Sequence, residues 1–75
     1  MKNITIILKD GGLYEINKEQ IEYWTYLFPK VNVYAEIMHL KDLWEKDELP
    51  RKTTKSINKY IFKYLKLVNK ENASN

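Results

Sequence analysis

The sequence predicts an α+β fold in which an N-terminal β-hairpin packs on a three-helix bundle. Apolar and polar residues alternate at the start of the chain, on either side of an Asp-Gly pair. Three longer segments then repeat apolar residues every three to four positions, and Pro29 and Pro50 separate them. The first pattern is typical of paired strands and the second of amphipathic helices. We place this single domain at residues 1–70, a length that supports one small hydrophobic core.

The hairpin is predicted over residues 3–16. Three alternating apolar side chains share one face of the first strand: Ile4, Ile6 and Leu8. Residues 13–16 return as the second strand. Asp10-Gly11 is expected to join the strands in a tight turn with positive φ at both central positions. Two strands alone are marginally stable in water, so this hairpin must lie against the helices.

An asparagine precedes each of the first two predicted helices. Asn17 can cap a helix of about residues 18–28, and Asn32 can cap one of about residues 33–46. Pro29 ends the first helix, because the residue before a proline is disfavoured in the helical region. The predicted buried faces are Ile21, Trp24, Leu27 and Phe28, and then Val33, Ile37, Leu40 and Trp44, with Met38 and Leu43 widening the second face.

The third helix is predicted to start at Thr53 or Thr54, either of which can cap it, and to end near Asn69. Its apolar face consists of Ile57, Ile61, Phe62, Leu65 and Val68. Residues 71–75 have nothing to bury, and we expect them to form a frayed C-terminal tail. The core predicted from all three helices contains Trp24, Phe28, Ile37, Leu40, Trp44, Ile61 and Leu65.

Composition argues against an enzyme, a metal site and a membrane protein. A chain of this length has little room for a catalytic cleft, and no serine, histidine and acid pattern accompanies a turn-borne nucleophile. His39 is the only histidine and cysteine is missing, so a transition metal would lack its usual ligands. The apolar run at residues 4–8 is too short for a signal peptide or a membrane span. We therefore expect a cytoplasmic protein without a metal or cofactor.

Charge is distributed unevenly along the chain. Residues 49–70 carry Arg51 and six lysines against no acid, a net charge of +7, whereas residues 1–48 carry six lysines against nine acids, a net −3. The six lysines recur at the spacing of one helical face: Lys52, Lys55, Lys59, Lys63, Lys66 and Lys70. Such a face is often only the solvated side of a helix. The adjoining Tyr60 and Tyr64 also suit a phosphate backbone with exposed bases.

Two functional interpretations of this segment stay open. In the first, the chain is a nucleic-acid-binding module that contacts phosphates, without reading the base sequence, through Arg51, Lys52, Lys55, Lys59, Lys63 and Lys66. In the second, it is a protein-interaction module in which exposed aromatic side chains and the acidic stretch 42–48 contribute. A continuous row of unpaired lysines would favour the first interpretation. Neutralisation of the lysines by the acidic stretch would favour the second.

Four segments carry a resemblance to a known module. They are the hairpin residues 8–16, the turn at residues 26–33, the helix from Glu36 to Trp44, and Pro50-Arg51-Lys52-Thr53 followed by Ile57-Asn58-Lys59-Tyr60-Ile61 and Tyr64-Leu65. Over residues 6–66 the chain resembles the C-terminal module of bacteriophage replication proteins of the replisome-organiser type and of related prophage proteins. It departs from that module at Tyr64, where tryptophan is usual, and at residues 45–48, which are more acidic.

The resemblance implies a phage or prophage origin and work near replicating DNA. On that basis the first interpretation becomes a non-enzymatic, DNA-binding accessory module of phage replication in the cytoplasm of a bacterial host cell. The second becomes a replisome adaptor or a small phage inhibitor of a host protein. The expected partner is thus either the phosphate backbone of nucleic acid or a replication or host protein, and not a membrane.

Overall fold

A computed structural model describes residues 3–74 of the chain. Two antiparallel strands, β1 (Ile4–Ile7) and β2 (Leu13–Ile16), are followed by three helices: α1 (Lys18–Leu27), α2 (Val33–Glu45) and α3 (Ile57–Ala73). Helix α2 is central, since it contacts β1, α1 and α3. This architecture confirms the predicted α+β fold with a hairpin on three helices.

The hairpin has the predicted faces and a different turn. Ile4 pairs with Ile16 and Ile7 with Leu13, which directs Ile4, Ile6 and Leu8 into the core. Positive φ was expected at both Asp10 and Gly11, but of these two only Gly11 has it, at 87°. The Leu8 amide donates to the Gly12 carbonyl (2.8 Å) and the Gly11 amide to the Leu8 carbonyl (3.0 Å). This pattern closes a three-residue loop, in which one left-handed residue is sufficient.

Both predicted asparagine caps are confirmed. The Asn17 side chain accepts a hydrogen bond from the Gln20 amide (2.8 Å), and the Asn32 side chain accepts one from the Ala35 amide (3.1 Å). Each bond satisfies an amide that has no partner inside its helix. The observed ends of α1 and α2 lie within one residue of the predicted ends.

The predicted core is also confirmed, because all seven of its residues are buried. The hairpin, α1, the turn before α2 and the first residues of α2 and α3 complete the core with Ile4, Ile6, Leu8, Ile16, Ile21, Val31, Val33 and Ile57. Met38 and Phe62 are exceptions to the predicted faces: each was expected on the apolar side of its helix, and each is exposed. Since Met38 follows Ile37 directly, the helix turns it away from the core.

Helix α3 starts later and ends later than predicted. Residues 54–56 form a turn, and α3 begins at Ile57 after Ser56, which makes no side-chain cap bond. The predicted cap residue Thr53 instead contributes its carbonyl, which accepts from the amides of Ser56 (3.1 Å) and Ile57 (3.0 Å). At the other end the helix continues to Ala73, so residues 71–73 belong to α3 and not to a frayed tail. Asn75, the last residue of that predicted tail, lies outside the described residues.

Candidate nucleic-acid interface

Trp44 and the connection that follows it fix the start of α3. The Trp44 side chain is fully buried, and its indole Nε1 donates to the Pro50 carbonyl (3.0 Å). Arg51 Nε donates to the Trp44 carbonyl (3.0 Å), and Arg51 Nη2 lies 3.4 Å from Asp47 Oδ1. Asp47 has a φ of 57°, a left-handed conformation that reverses the chain after α2. These contacts close a short loop that brings α3 back against α2.

Two asparagines hold the other half of α3 to the turn between α1 and α2. Asn69 Oδ1 accepts from the Lys30 amide (2.9 Å), and Asn72 Nδ2 donates to the Lys30 carbonyl (2.8 Å). The Phe62 and Phe28 rings also form a T-shaped contact, with centroids 5.3 Å apart. Helix α3 is therefore held at both ends and along its buried face, which makes its outer face a defined surface.

That outer face carries a row of lysines. Ile57, Ile61 and Leu65 are fully buried on the inner side of α3. The residues that point away from them are exposed lysines, and we call these the lysine row: Lys59, Lys63, Lys66 and Lys70. At a rise of about 1.5 Å per residue, the row is about 16 Å long. Four ammonium groups at this spacing form a linear cationic surface.

The acidic stretch 42–48 does not neutralise the lysine row. Asp42 pairs with Lys46 (3.0 Å), Glu45 with Lys41, and Asp47 with Arg51. The hydrogen bond and charge of Asp42 raise the pKa of Lys46 above its ordinary value. Over residues 3–74, no α3 lysine forms an ion pair. This arrangement is the one that the sequence analysis associated with nucleic-acid binding.

The six predicted contact residues do not form one stripe. Lys59, Lys63 and Lys66 lie together in the row, and exposed Lys55 precedes them in the turn before α3. Arg51 is partly buried in its bonds to Trp44 and Asp47. Lys52 places its ammonium group over the Tyr60 ring, 4.2 Å from the centroid, which is a cation–π contact. Arg51 and Lys52 therefore lie outside the lysine row, because their side chains contact Trp44, Asp47 and Tyr60.

A groove of about 610 Å³ runs along one side of the lysine row. It is lined by Lys52, Ser56, Lys59, Tyr60, Lys63, Tyr64 and Leu67. The Tyr60 and Trp44 rings form a T-shaped contact with their centroids 5.8 Å apart. The Tyr64 hydroxyl donates a hydrogen bond to Glu36 Oε1 (2.7 Å). Burial, and secondly this bond, raises the pKa of Tyr64 to about 12. Both rings are thus fixed, half-buried parts of the groove floor.

Two members of this surface are not among the predicted contact residues. Leu67 is 57 % exposed in the groove, although it is a large apolar residue. Lys70 joins the row, because α3 continues beyond Asn69. The sequence contains a signal that places Leu67 on this surface. Tyr60, Tyr64 and Leu67 stand at positions i, i+4 and i+7, which share one helical face.

His39 is exposed on α2. Between residues 3 and 74, the histidine, aspartate and glutamate side chains do not gather in any group of three that is able to hold a metal ion. No helix in that range combines the length and the apolar character needed to cross a bilayer.

Comparisons of the chain with protein-family models, with curated proteins and with solved structures found no match.

Proposed function

We propose that this chain is a non-enzymatic module that binds the phosphate backbone of nucleic acid through α3. The contacts come from Lys55 and from the lysine row, Lys59, Lys63, Lys66 and Lys70. The observation that carries the proposal is that the row makes no ion pair within residues 3–74, where the ion pairs present are local ones between residues four positions apart. Exposed amines without carboxylate partners keep their full charge for an anionic partner.

The shape of the surface supports a backbone contact more than a base-specific one. Lysine ammonium groups act as point charges and carry no bidentate geometry for a base edge. The row contains no arginine, asparagine or glutamine, and Arg51 is bonded to Trp44 and Asp47. Binding of this kind is sequence-tolerant and decreases steeply with salt, because each neutralised phosphate releases counterions.

The biological setting is proposed from the resemblance alone. A module like those of phage replisome-organiser proteins would work beside replicating DNA, in the cytoplasm of a bacterial host that carries a phage or prophage. Sequence-tolerant binding suits an accessory role there, because such a module can follow DNA whose sequence varies. In this proposal Arg51 acts as a positioning residue, because it is bonded to Trp44 and Asp47.

Anisotropy titrations of a fluorescein-labelled DNA duplex test the proposal. The double variant Lys59→Gln/Lys63→Gln removes the first two charges of the row. Lys18→Gln/Lys30→Gln makes the same change in net charge, from +3 to +1, at exposed positions outside α3. We expect binding by wild type and by the control, and at low salt a loss of about tenfold or more in the first variant, since two phosphate contacts are removed. Equal binding by both variants would contradict the role of the row.

A second candidate function follows from Leu67. An exposed leucine beside unpaired lysines also fits a protein partner with acidic and apolar side chains. A pull-down from host lysate with and without nuclease distinguishes the two functions. Nucleic acid retained only without nuclease supports the first, whereas a protein retained under both conditions and released by Leu67→Gln supports the second.

A further inference from the structure

The groove beside the lysine row has no role in a contact made only with phosphates. Its floor is formed by the half-buried Tyr60 and Tyr64 rings and by Leu67, while Lys59 and Lys63 line its edge. No carboxylate is among the lining residues in the described part of the chain. An apolar floor with an amine edge is suited to a ligand that offers a flat apolar group and an anion a short distance apart.

We infer that this groove takes the base of a single-stranded nucleic acid while the phosphates of the same strand lie on the lysine row. The inference rests on the proposed function and names its substrate class. In a duplex the bases are stacked inside, so only phosphates reach α3. A single strand presents a base and a phosphate in every nucleotide, and bases stack on aromatic side chains without regard to sequence.

The geometry around Tyr60 shows how the site accepts a base. One interaction of the ring is the edge contact with buried Trp44, which holds the ring in place. The other is the Lys52 ammonium group, 4.2 Å from the centroid. The Lys52 side chain is partly exposed, and a phosphate provides a stronger partner for its charge than the ring does. Movement of Lys52 from the ring to a phosphate therefore uncovers the Tyr60 face for a base.

Electrostatics alone predicts that the chain binds a duplex at least as tightly as a single strand. A duplex carries more charge per unit length than a single strand. For each phosphate contacted, the slope of log affinity against log salt is also steeper for the duplex, about −0.9 compared with about −0.7 for a single strand. A lysine row without a groove should therefore bind the duplex at least as tightly. Preference for the single strand can only come from contacts with exposed bases, which makes the order of the two affinities diagnostic.

The test compares oligo-dT with a duplex of the same number of base pairs, at one low salt concentration, by fluorescence anisotropy. We expect wild type to bind oligo-dT more tightly than the duplex. Leu67→Gln should weaken oligo-dT binding by about three- to fivefold, the effect of losing the burial of about one methylene group against the base, and leave duplex binding unchanged. The matched control is Leu13→Gln, at a leucine that is 71 % exposed on β2 outside the groove, and it should bind both like wild type.

The outcomes separate the inference from the proposed function. Duplex binding equal to or tighter than oligo-dT binding, with Leu67→Gln behaving like Leu13→Gln, overturns the inference and leaves the phosphate contact intact. Polyglutamate that competes as well as unlabelled oligo-dT at equal charge also overturns it, in favour of an acidic protein partner. Binding of neither nucleic acid at low salt overturns both. Photo-crosslinking of an oligonucleotide containing 5-iodouracil to Tyr60 or Tyr64 would support the inference independently of any variant.

Discussion

Replacement of Trp44 by alanine should unfold the protein. The Trp44 side chain is fully buried, and truncation of a buried tryptophan costs about 3–5 kcal/mol. The change also removes the indole bond to the Pro50 carbonyl and the edge contact with Tyr60. A neutral hydrogen bond and an aromatic pair each contribute about 1 kcal/mol, which places the loss at the upper end of that range. A domain of this size has a total stability of about 3–5 kcal/mol.

Urea denaturation followed by far-ultraviolet circular dichroism measures this effect. We expect wild type to show a cooperative transition and Trp44→Ala to lack a folded baseline at 25 °C. The control is Tyr26→Ala, because Tyr26 is 82 % exposed and its truncation should change the free energy of unfolding by less than about 0.5 kcal/mol. A cooperative transition of Trp44→Ala with a midpoint near that of wild type would refute the claim that buried Trp44 links the core to the start of α3.

Two further substitutions test the turn and the groove. Gly11→Val should lower the free energy of unfolding by about 1–3 kcal/mol through backbone strain alone, since φ is +87° and an added Cβ meets no atom within 4 Å. Nucleic-acid binding by its folded fraction should be normal, and loss of binding would instead assign the hairpin tip to the interface. The pKa of Tyr64 is raised from 10.0 to about 12 in the folded chain, so its contribution to stability is complete below pH 10 and is lost as the pH rises towards 12. In thermal melts between pH 10 and pH 12, the melting temperature of Tyr64→Phe should fall less than that of wild type. Equal falls would contradict the raised pKa of Tyr64.

The features that the sequence predicted correctly depend on local chemistry. Strand alternation identified the inward face of the hairpin, and helical periodicity identified the core, because burial follows these two periods directly. The Asn17 and Asn32 caps were equally local, since each side chain bonds an amide three residues further on. Such features require no knowledge of which elements meet.

The features that the sequence predicted wrongly depend on tertiary contacts. Lys52 continues the spacing of the other lysines and Arg51 adjoins them, yet the chain after the left-handed Asp47 brings Arg51 to the Trp44 carbonyl and Lys52 to the Tyr60 ring. The delayed start of α3 has a similar cause: the Lys52 carbonyl accepts from the Lys9 amide of the hairpin (2.8 Å), which ties this segment outside the helix. The position of these partners follows only from the packed fold.

The turn at residues 9–11 illustrates a third source of error. Asp-Gly predicted a hairpin turn at the right place, but loop length decides which residues need positive φ. The strand register leaves three residues in the loop, and Asp10 then serves as a side-chain acceptor for the Gly12 amide (2.8 Å). The sequence pattern therefore located the turn without identifying its type.

The salt dependence of duplex binding tests the role of the lysine row most directly. Anisotropy titrations at several salt concentrations give the slope of log affinity against log salt. For about four phosphate contacts we predict a slope of roughly −3 to −4, and for Lys59→Gln/Lys63→Gln a slope smaller in magnitude by about two. The fold should survive, since both lysines are exposed and glutamine is a comparable helix former. Lys18→Gln/Lys30→Gln should keep the wild-type slope. Absence of binding at low salt, or an unchanged slope in the α3 double variant, would contradict a phosphate-binding function and leave the row as a solvated helix face.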